Sequence, residues 1–230
     1  MKRLSYFLVS AIAFGLMAAA SAGDPAATKL LADARAARAI YHNFPGFSAN
    51  IEVNLDGNAR HGQVEIDKDG KATLKLDDED AAKWAKNTLG SIIGHRLSSG
   101  PDEETPCVFA DEDQDHPLGR AIRVVNDEFH SSYRIRDRQV IVVNRQMPGS
   151  RFTIAVMESV LTQEKKFLPA CYVVNTWDAK SNALTSSETH HQTWQRVGAF
   201  DLPKETLTVK ATAGGKLESR SIKLSKIRLK

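Results

Sequence analysis

The sequence has little of the material from which common catalytic and metal sites are built. Its 230 residues include two cysteines and seven histidines, and aromatic residues make up 7%. No Cys-x-x-Cys or His-x-His spacing is present, so the sequence contains no recognisable zinc ligand set. It also lacks a Gly-x-Ser-x-Gly nucleophile motif and any strand–helix–strand alternation. These absences argue against a hydrolase elbow and against a parallel nucleotide-binding sheet.

Strong net charge is missing as well. The formal charge is +3, and two of the basic residues, Lys2 and Arg3, lie at the extreme N-terminus. Without them the net charge falls to +1, and no basic stripe remains elsewhere. A nearly neutral chain has no electrostatic reason to bind nucleic acid, so we expect no nucleic-acid partner.

The N-terminal residues have the pattern of an export signal. Met1-Lys2-Arg3 is basic, residues 4–20 are almost wholly apolar, and Ala20-Ser21-Ala22 supplies the small residues of a cleavage site. We therefore predict a signal peptide at 1–22, cleavage before Gly23, and a periplasmic or extracellular protein. The rest, 23–230, is predicted to be a single domain with no transmembrane segment, and its oligomeric state stays open.

Export places the two cysteines where they can oxidise. Cys107 and Cys171 are the only pair available, so a disulfide between them is one alternative and two free thiols are the other. A bridge would require their Cα atoms to lie within about 7 Å. The sequence leaves both alternatives open.

The stretch 44–55 marks a change from helical to extended periodicity. An Ala-rich helix opens at Asp24-Pro25 and is predicted to reach about Tyr41, with Pro45-Gly46 ending it. From Phe47 to Leu55 apolar and polar residues alternate, which predicts a strand with Phe47, Ala49, Ile51, Val53 and Leu55 on its buried face.

The remaining chain predicts more antiparallel strands and one further helix. Asp56-Gly57 and Asp69-Gly70 predict turns of a three-stranded meander, and Asp77 or Asp78 is expected to cap a helix running to about Leu97. Gly90 and Gly94 within it suggest close packing. Further strands are predicted at 120–126, 132–136, 139–145, 151–161, 167–177, 186–196, 206–212 and 216–228, with a doubtful one at 107–110.

These elements predict an α+β fold that is mainly β. We expect a strongly curved antiparallel sheet, or incomplete barrel, of about eleven strands covering an N-terminal helix and a second helix.

Polar candidate sites are better explained by surface or capping roles. Asp111, Asp113 and Asp115 have the spacing that begins a calcium loop, but His116 and Ile122 stand where that loop needs Gly and Glu. His190 and His191 are adjacent in a predicted strand and must face opposite sides, while His95 lies at a helix end. We therefore predict no catalytic, cofactor or metal-binding residues.

A ligand cavity is the stronger candidate site, because a strongly curved sheet need not be filled by its own side chains. Ordinary core packing is the alternative for every residue concerned. The candidate apolar lining consists of Phe47, Trp84, Ile92, Phe152, Trp177 and Trp194.

Four motifs together resemble a family of uncharacterised β-rich proteins, DUF3386. They are Phe44-Pro45-Gly46-Phe47, Ile93-Gly94-His95-Arg96, the run from Tyr133 to Val140, and Val197-Gly198 before a last hairpin. That family has no assigned chemistry and transfers no functional residues. Phe47-Ser48-Ala49-Asn50-Ile51 and the layout are similar to the periplasmic lipoprotein-carrier (LolA/LolB-like) superfamily, a resemblance that implies an incomplete barrel sheltering acyl chains.

The sequence therefore favours an exported, non-enzymatic binding or carrier protein. Its expected ligand is apolar, a lipid, an acyl chain or a lipoprotein, and lies in the concave face of the sheet. Two alternatives stay open: an envelope-associated hydrolase whose site forms only in three dimensions, and a structural or interaction protein with a filled core and an exposed apolar patch.

Overall fold

A computed structural model describes residues 23–97 and 105–230, which form two helices and twelve strands. The predicted signal peptide lies outside these residues. The elements in chain order are α1 (Pro25–Ala36), β1 (Phe47–Leu55), β2 (Asn58–Ile66), β3 (Ala72–Lys75), α2 (Glu79–Gly94), β4 (Cys107–Phe109), β5 (Arg120–Val124), β6 (Ser132–Arg136), β7 (Gln139–Met147), β8 (Ser150–Leu161), β9 (Phe167–Asp178), β10 (Leu184–Val197), β11 (Phe200–Thr212) and β12 (Leu217–Leu229).

All twelve strands belong to one antiparallel sheet that does not close. Its order is β3-β2-β1-β12-β11-β10-β9-β8-β7-β6-β5-β4, so β3 and β4 are the two edges. The first strand pairs with the last, with Val53 opposite Ile222. The chain then crosses, through α2 and the residues after it, from one edge of the sheet to the other. The predicted curved antiparallel α+β fold is confirmed, with one strand more than the predicted eleven.

The first helix begins as predicted but ends early. Asp24 is its N-cap and accepts hydrogen bonds from the backbone N–H groups of Ala26 at 2.7 Å and Ala27 at 3.1 Å. The helix ends at Ala36 and not near Tyr41. The following backbone bonds to the start of β9 instead, since Ala39 N donates to Phe167 O at 3.0 Å. The prediction that Pro45-Gly46 ends the helix was therefore wrong.

The second helix has its predicted cap. The carboxylate of Asp78 accepts a hydrogen bond from Ala81 N at 2.9 Å. The suggestion that Gly90 and Gly94 mark close packing was wrong, because a Cβ at either position would meet no atom within 4 Å.

The described strands begin and end within a few residues of the predicted ones, with β11 as the main exception. It starts at Phe200 and not near residue 206. Thr193 pairs with Glu205 and Trp194 with Pro203, so Lys204 is an extra residue that forms a bulge in β11. A bulge is one of the few places in a sheet where proline fits.

Both helices pack on the same face of the sheet, at its two ends. α2 covers β1 and β3, and α1 covers β4, β6 and β7. Under α2 lies a core that includes Phe47, Ile51 and Val53 of β1, as the alternation predicted. Under α1 lies a smaller core containing Leu31, Ile122 and Ile135. Within the described ranges, no helix combines the length and apolar character needed to cross a membrane.

Candidate functional site

The middle of the helix-bearing face lies beyond the main contacts of either helix. Cross-strand register identifies the side chains on this face, because directly paired residues point to the same side of a sheet. One row runs Tyr133, Val143, Ile154, Val174, Glu188, Lys210, Glu218 across seven strands. We call the following the central face: Val143, Phe152, Ile154, Val156, Tyr172, Val174, Glu188, His190, Gln192, Thr208 and Lys210.

The central face has an apolar half. On β7 to β9 it presents Val143, Phe152, Ile154, Val156 and Val174, all of them partly exposed. Burying such side chains against a ligand is favourable, at about 25 cal/mol per Å² of apolar surface removed from water. This half can accommodate the hydrocarbon part of a ligand.

The other half is polar and internally paired. Glu188 and Lys210 form an ion pair at 2.7 Å, and Glu218 pairs with Arg220 at 2.7 Å. Together with Trp84 of α2 these four residues line a groove of about 250 Å³. Because each carboxylate already has a cationic partner, the groove has no uncompensated negative charge.

His190 is held between three neighbours on the central face. Its ring stacks on Tyr172 with centroids 4.6 Å apart, Nδ1 lies 3.1 Å from Thr208 Oγ1, and Nε2 lies 3.7 Å from Glu188. Burial lowers the pKa of His190, and Glu188 partly opposes that shift. The order hydroxyl, imidazole, carboxylate is that of a nucleophile and its base. However, Thr208 is only 5% exposed, so the hydroxyl is not open to a substrate.

One end of the central face is closed by the segment 37–46, which we call the strap. It bridges to Phe167 at the start of β9 and then to the residues after α2, where Tyr41 N donates to Arg96 O at 2.5 Å. The Tyr41 hydroxyl donates to Asp201 O at 2.6 Å, and its ring stacks on Phe44. The strap is thus tied to β9, to β11 and to the end of α2.

Arg96 lies where the strap meets the central face. Only 8% of its surface is exposed, and its guanidinium lies over the ring of Trp194, 5.6 Å from the centroid. Trp194 is itself fixed, because Nε1 donates to Pro169 O at 2.9 Å. Burial lowers the pKa of Arg96 to about 10 and raises that of neighbouring Tyr172 to about 12. Sequence analysis identified Trp194 as a candidate site residue but named Arg96 only within a family motif, because that family transfers no functional residues.

The six residues predicted to line a cavity do not lie together. Phe152 is on the central face, Trp194 contacts Arg96, and Trp84 lines the polar groove. Phe47 is 0% exposed within the α2 core, and Ile92 is also buried on that helix, so neither lines an open surface. Trp177 follows Thr176 of the central face and points to the opposite side of the sheet.

The two cysteines are free, so the disulfide alternative is wrong for this structure. Cys107 is on β4 and Cys171 on β9, five positions apart in the strand order. At about 4.8 Å per strand they are separated by roughly 24 Å along the sheet, far beyond disulfide reach. Burial raises the pKa of both thiols, so neither is an activated nucleophile.

The acidic motif has a structural role at Asp111. Its carboxylate lies 2.9 Å from Arg134 Nη1 and 3.9 Å from Arg120 Nε. Asp113 only caps its own turn, accepting from Asp115 N at 3.0 Å. Among residues 23–97 and 105–230, no group of three or more His, Cys, Asp or Glu side chains converges as metal ligands would.

The other predicted histidines are separate from His190. His95 is the C-cap of α2, and burial together with the nearby guanidinium groups of Arg96, Arg38 and Arg145 lowers its pKa. His191 points to the opposite face, where Nε2 lies 3.9 Å from Cys171 Sγ. The three histidines therefore do not form one site.

These features define the chain as an open antiparallel-sheet protein with helices at both ends of one face and an amphipathic surface between them. It belongs to the family described as protein of unknown function (DUF3386), whose model matches residues 22–229. The resemblance seen in the sequence motifs is thereby confirmed.

Two solved structures are similar to this chain over most of its length. A LolA superfamily protein from Nitrosomonas europaea is 10% identical, with 89% of this chain and 93% of that chain covered and a TM-score of 0.38. A putative outer membrane lipoprotein-sorting protein domain from Vibrio parahaemolyticus is 12% identical, with 88% and 92% covered and a TM-score of 0.39. Likeness at this level carries no functional information. None of the curated proteins compared with the chain matches it.

Proposed function

We propose that this protein binds, and carries, an amphipathic small molecule on the central face. The supporting observation is the partly exposed apolar row Phe152, Ile154 and Val156, which lies between two helix-covered ends and next to a polar half on the same face. A ligand with one apolar and one polar part matches both halves. The sequence led us to expect an apolar ligand such as a lipid or an acyl chain, and the charged and hydroxyl groups that β10 to β12 present on this face favour one that also has a polar part.

Export remains part of the proposal. Its support is the basic and apolar pattern of residues 1–22, and the family match begins at residue 22. The intact mass of protein recovered from the envelope fraction tests it. A mass corresponding to a chain that begins at Gly23 is expected, and a mass retaining Met1 would contradict it.

Binding is tested with protein freed of lipid and three probes that share a twelve-carbon chain: dodecanoate, dodecyl phosphate and dodecanol. Tryptophan fluorescence and thermal unfolding report the interaction. We expect at least one probe to bind saturably below its micelle concentration and to raise the melting temperature.

The location of the ligand on the central face is tested by a matched pair of substitutions on β8. Ile154→Asn places an amide in the apolar row and should weaken binding about tenfold or more, since a buried unpaired polar group costs roughly 1–3 kcal/mol. Thr153→Asn, on the opposite face of the same strand, should leave binding unchanged. Equal effects of the two substitutions would contradict the proposed location.

If no probe binds, the carrier proposal fails. The interaction-protein alternative would then take its place. Its supporting observation is the exposure of Met157 and Leu161 on β8, whose surfaces are 65% and 58% accessible.

A further inference from the structure

Arg96 is a buried cation without an anionic partner among the described residues. Within residues 23–97 and 105–230, Arg96 Nε has no hydrogen-bond partner, and the guanidinium lies over the ring of Trp194. Buried charges in proteins are nearly always paired, because removing a charge from water is costly. An orphaned guanidinium beside a proposed ligand surface therefore calls for a missing anion.

The surroundings of Arg96 increase the positive potential. Arg38 lies close enough to Arg96 to lower its pKa. The guanidinium groups of Arg96, Arg38 and Arg145 also lower the pKa of His95. Two carboxylates of this region are already engaged in ion pairs. Asp201 pairs with Arg196 at 2.7 Å, and Glu188 pairs with Lys210 at 2.7 Å. Neither is free to neutralise Arg96.

The position of Arg96 connects it to both halves of the ligand surface. Trp194, on which it stacks, is bonded to Pro169 of β9, and the Tyr172 hydroxyl is near enough to influence its charge. Tyr172 lies directly opposite Val156 of the apolar row. A chain lying along that row would thus bring its head group toward Arg96.

We propose that Arg96 binds the anionic head group, carboxylate or phosphate, of the amphipathic ligand at the end of the central face closed by the strap. This inference rests on the proposed function and specifies its ligand as an acid. Guanidinium groups bind both anions through paired N–H donors, and a stacked arginine is already oriented to do so.

The test compares the same three probes on the wild type and on Arg96→Met. The wild type should bind dodecanoate or dodecyl phosphate about tenfold or more tightly than dodecanol, and Arg96→Met should abolish that preference. Whichever acid binds more tightly identifies the head-group class. Arg228→Met is the matched control: Arg228 is exposed and pairs with Ser48 on the side facing away from α2, so its loss should preserve the preference.

Thermal unfolding of the unliganded variants separates binding from a structural role. Because no described residue supplies an anion to Arg96, Arg96→Met should raise the melting temperature by about 3 °C. A lower melting temperature with an unchanged preference for acids would assign Arg96 a structural role and overturn the inference. Equal binding of all three probes by the wild type would overturn it too, while leaving the carrier proposal intact. Failure of every probe would remove both.

A second measurement locates the head group without altering Arg96. In a Trp84→Phe/Trp177→Phe variant, Trp194 is the single tryptophan and can be excited selectively over tyrosine. Dodecanoate brominated at carbon 2 should quench it more strongly than dodecanoate brominated at carbon 12. The reverse order would place the hydrocarbon tail at Trp194 and contradict the inference.

Discussion

The end of the sheet under α2 and its uncovered middle share one backbone ladder but differ in what faces inward. A single row of cross-strand partners shows the change: Val53 lies opposite Ile222, Ile222 opposite Thr206, and Thr206 opposite Gln192. The first two are apolar and the last two polar, and all four are buried. The difference teaches that the apolar core stops where α2 stops. Beyond α2, polar side chains occupy the buried positions of the row, at Thr206 and Gln192.

The two regions also differ in how their charges are satisfied. Asp78 at the start of α2 accepts from Ala81 N and pairs with Arg60 at 3.2 Å, so the charge at this helix end is compensated. Beside the central face, Arg96 is buried, and none of the residues described by the structure forms an ion pair with it. We expect a protein with a binding surface to have well-packed, charge-compensated ends of the sheet, and to keep unpaired charge beside the surface that binds the ligand.

The largest effects are expected from truncating one phenylalanine in each region, which tests whether the two regions differ in packing. Phe47→Ala should lower the free energy of unfolding by about 3–5 kcal/mol, because it empties a fully buried site. Phe152→Ala, at a partly exposed site, should cost less than about 2 kcal/mol and weaken probe binding instead. Urea unfolding and fluorescence titration measure the two effects. Equal stability losses would show that the middle is packed like the end.

Gly46 directly precedes β1, and its substitution tests how tightly the backbone packs at this point. Its φ is +84°, and a Cβ there would meet Ile66 O at 2.3 Å. Gly46→Val should therefore cost about 3 kcal/mol, from backbone strain and a clash with backbone.

Gly57 is the matched control for Gly46. It has a φ of +92° but no atom within 4 Å of its Cβ position, so Gly57→Val carries the strain without the clash. Its cost should be about 1–2 kcal/mol. If both variants fold and Gly46→Val selectively loses binding, Gly46 belongs to the site and not to the scaffold.

The other helix-covered end should respond to loss of its cap. Asp24→Ala leaves the N–H groups of Ala26 and Ala27 without their acceptor and should cost about 1 kcal/mol. Asp24→Asn keeps the acceptor oxygen and should restore most of the loss. Urea unfolding measures both, and an Asn variant as unstable as the Ala variant would contradict a capping role.

The smallest expected effect is on the pH dependence of the free energy of unfolding, through His190 of the central face. Burial lowers the pKa of His190 below its usual 6.5, so the folded state resists a proton that the unfolded state accepts. The contribution of His190 to stability is thus complete above pH 6.5 and declines as the pH falls through 6.5 toward the lowered value.

His190→Gln should accordingly reduce the loss of stability between pH 8 and pH 5, measured by urea unfolding. Glu188, Thr208 and Tyr172 are the groups that face the His190 ring and should be left unaltered. His191→Gln, on the opposite face of the same strand, should leave the loss unchanged. If His190→Gln loses as much stability between pH 8 and pH 5 as the wild type, protonation of His190 is not the cause of that loss.

Much of the fold could be predicted because its signals are local. Alternation in Phe47–Leu55 gave the strand and its buried face, and Asp24 and Asp78 capped the two helices as expected. The end of α1 could not be predicted, because it depends on hydrogen bonds to Phe167, which is far away in sequence. The start of β11 was missed because Pro203 argues against a strand, and the bulge at Lys204 that accommodates it is visible only in the pairing of β11 with β10.

The lining of a ligand cavity stays a prediction. Phe152 and Trp194 lie on or beside the helix-bearing face, whereas Phe47 and Ile92 are core residues and Trp177 is on the other side. Hydrophobicity alone cannot distinguish a residue that packs under a helix from one that lies beyond its end.

By itself the amino-acid sequence determined the periodicity of the strands, the caps of the helices and the family. These depend on neighbours within a few positions, where side-chain direction and hydrogen bonding are set by local geometry. Only the tertiary structure decided that Cys107 and Cys171 remain apart and that the strap, Trp194 and Arg96 meet at one end of the central face. The reason is strand order: pairing β1 with β12 brings residues from both ends of the chain onto one face, and no local pattern encodes that pairing.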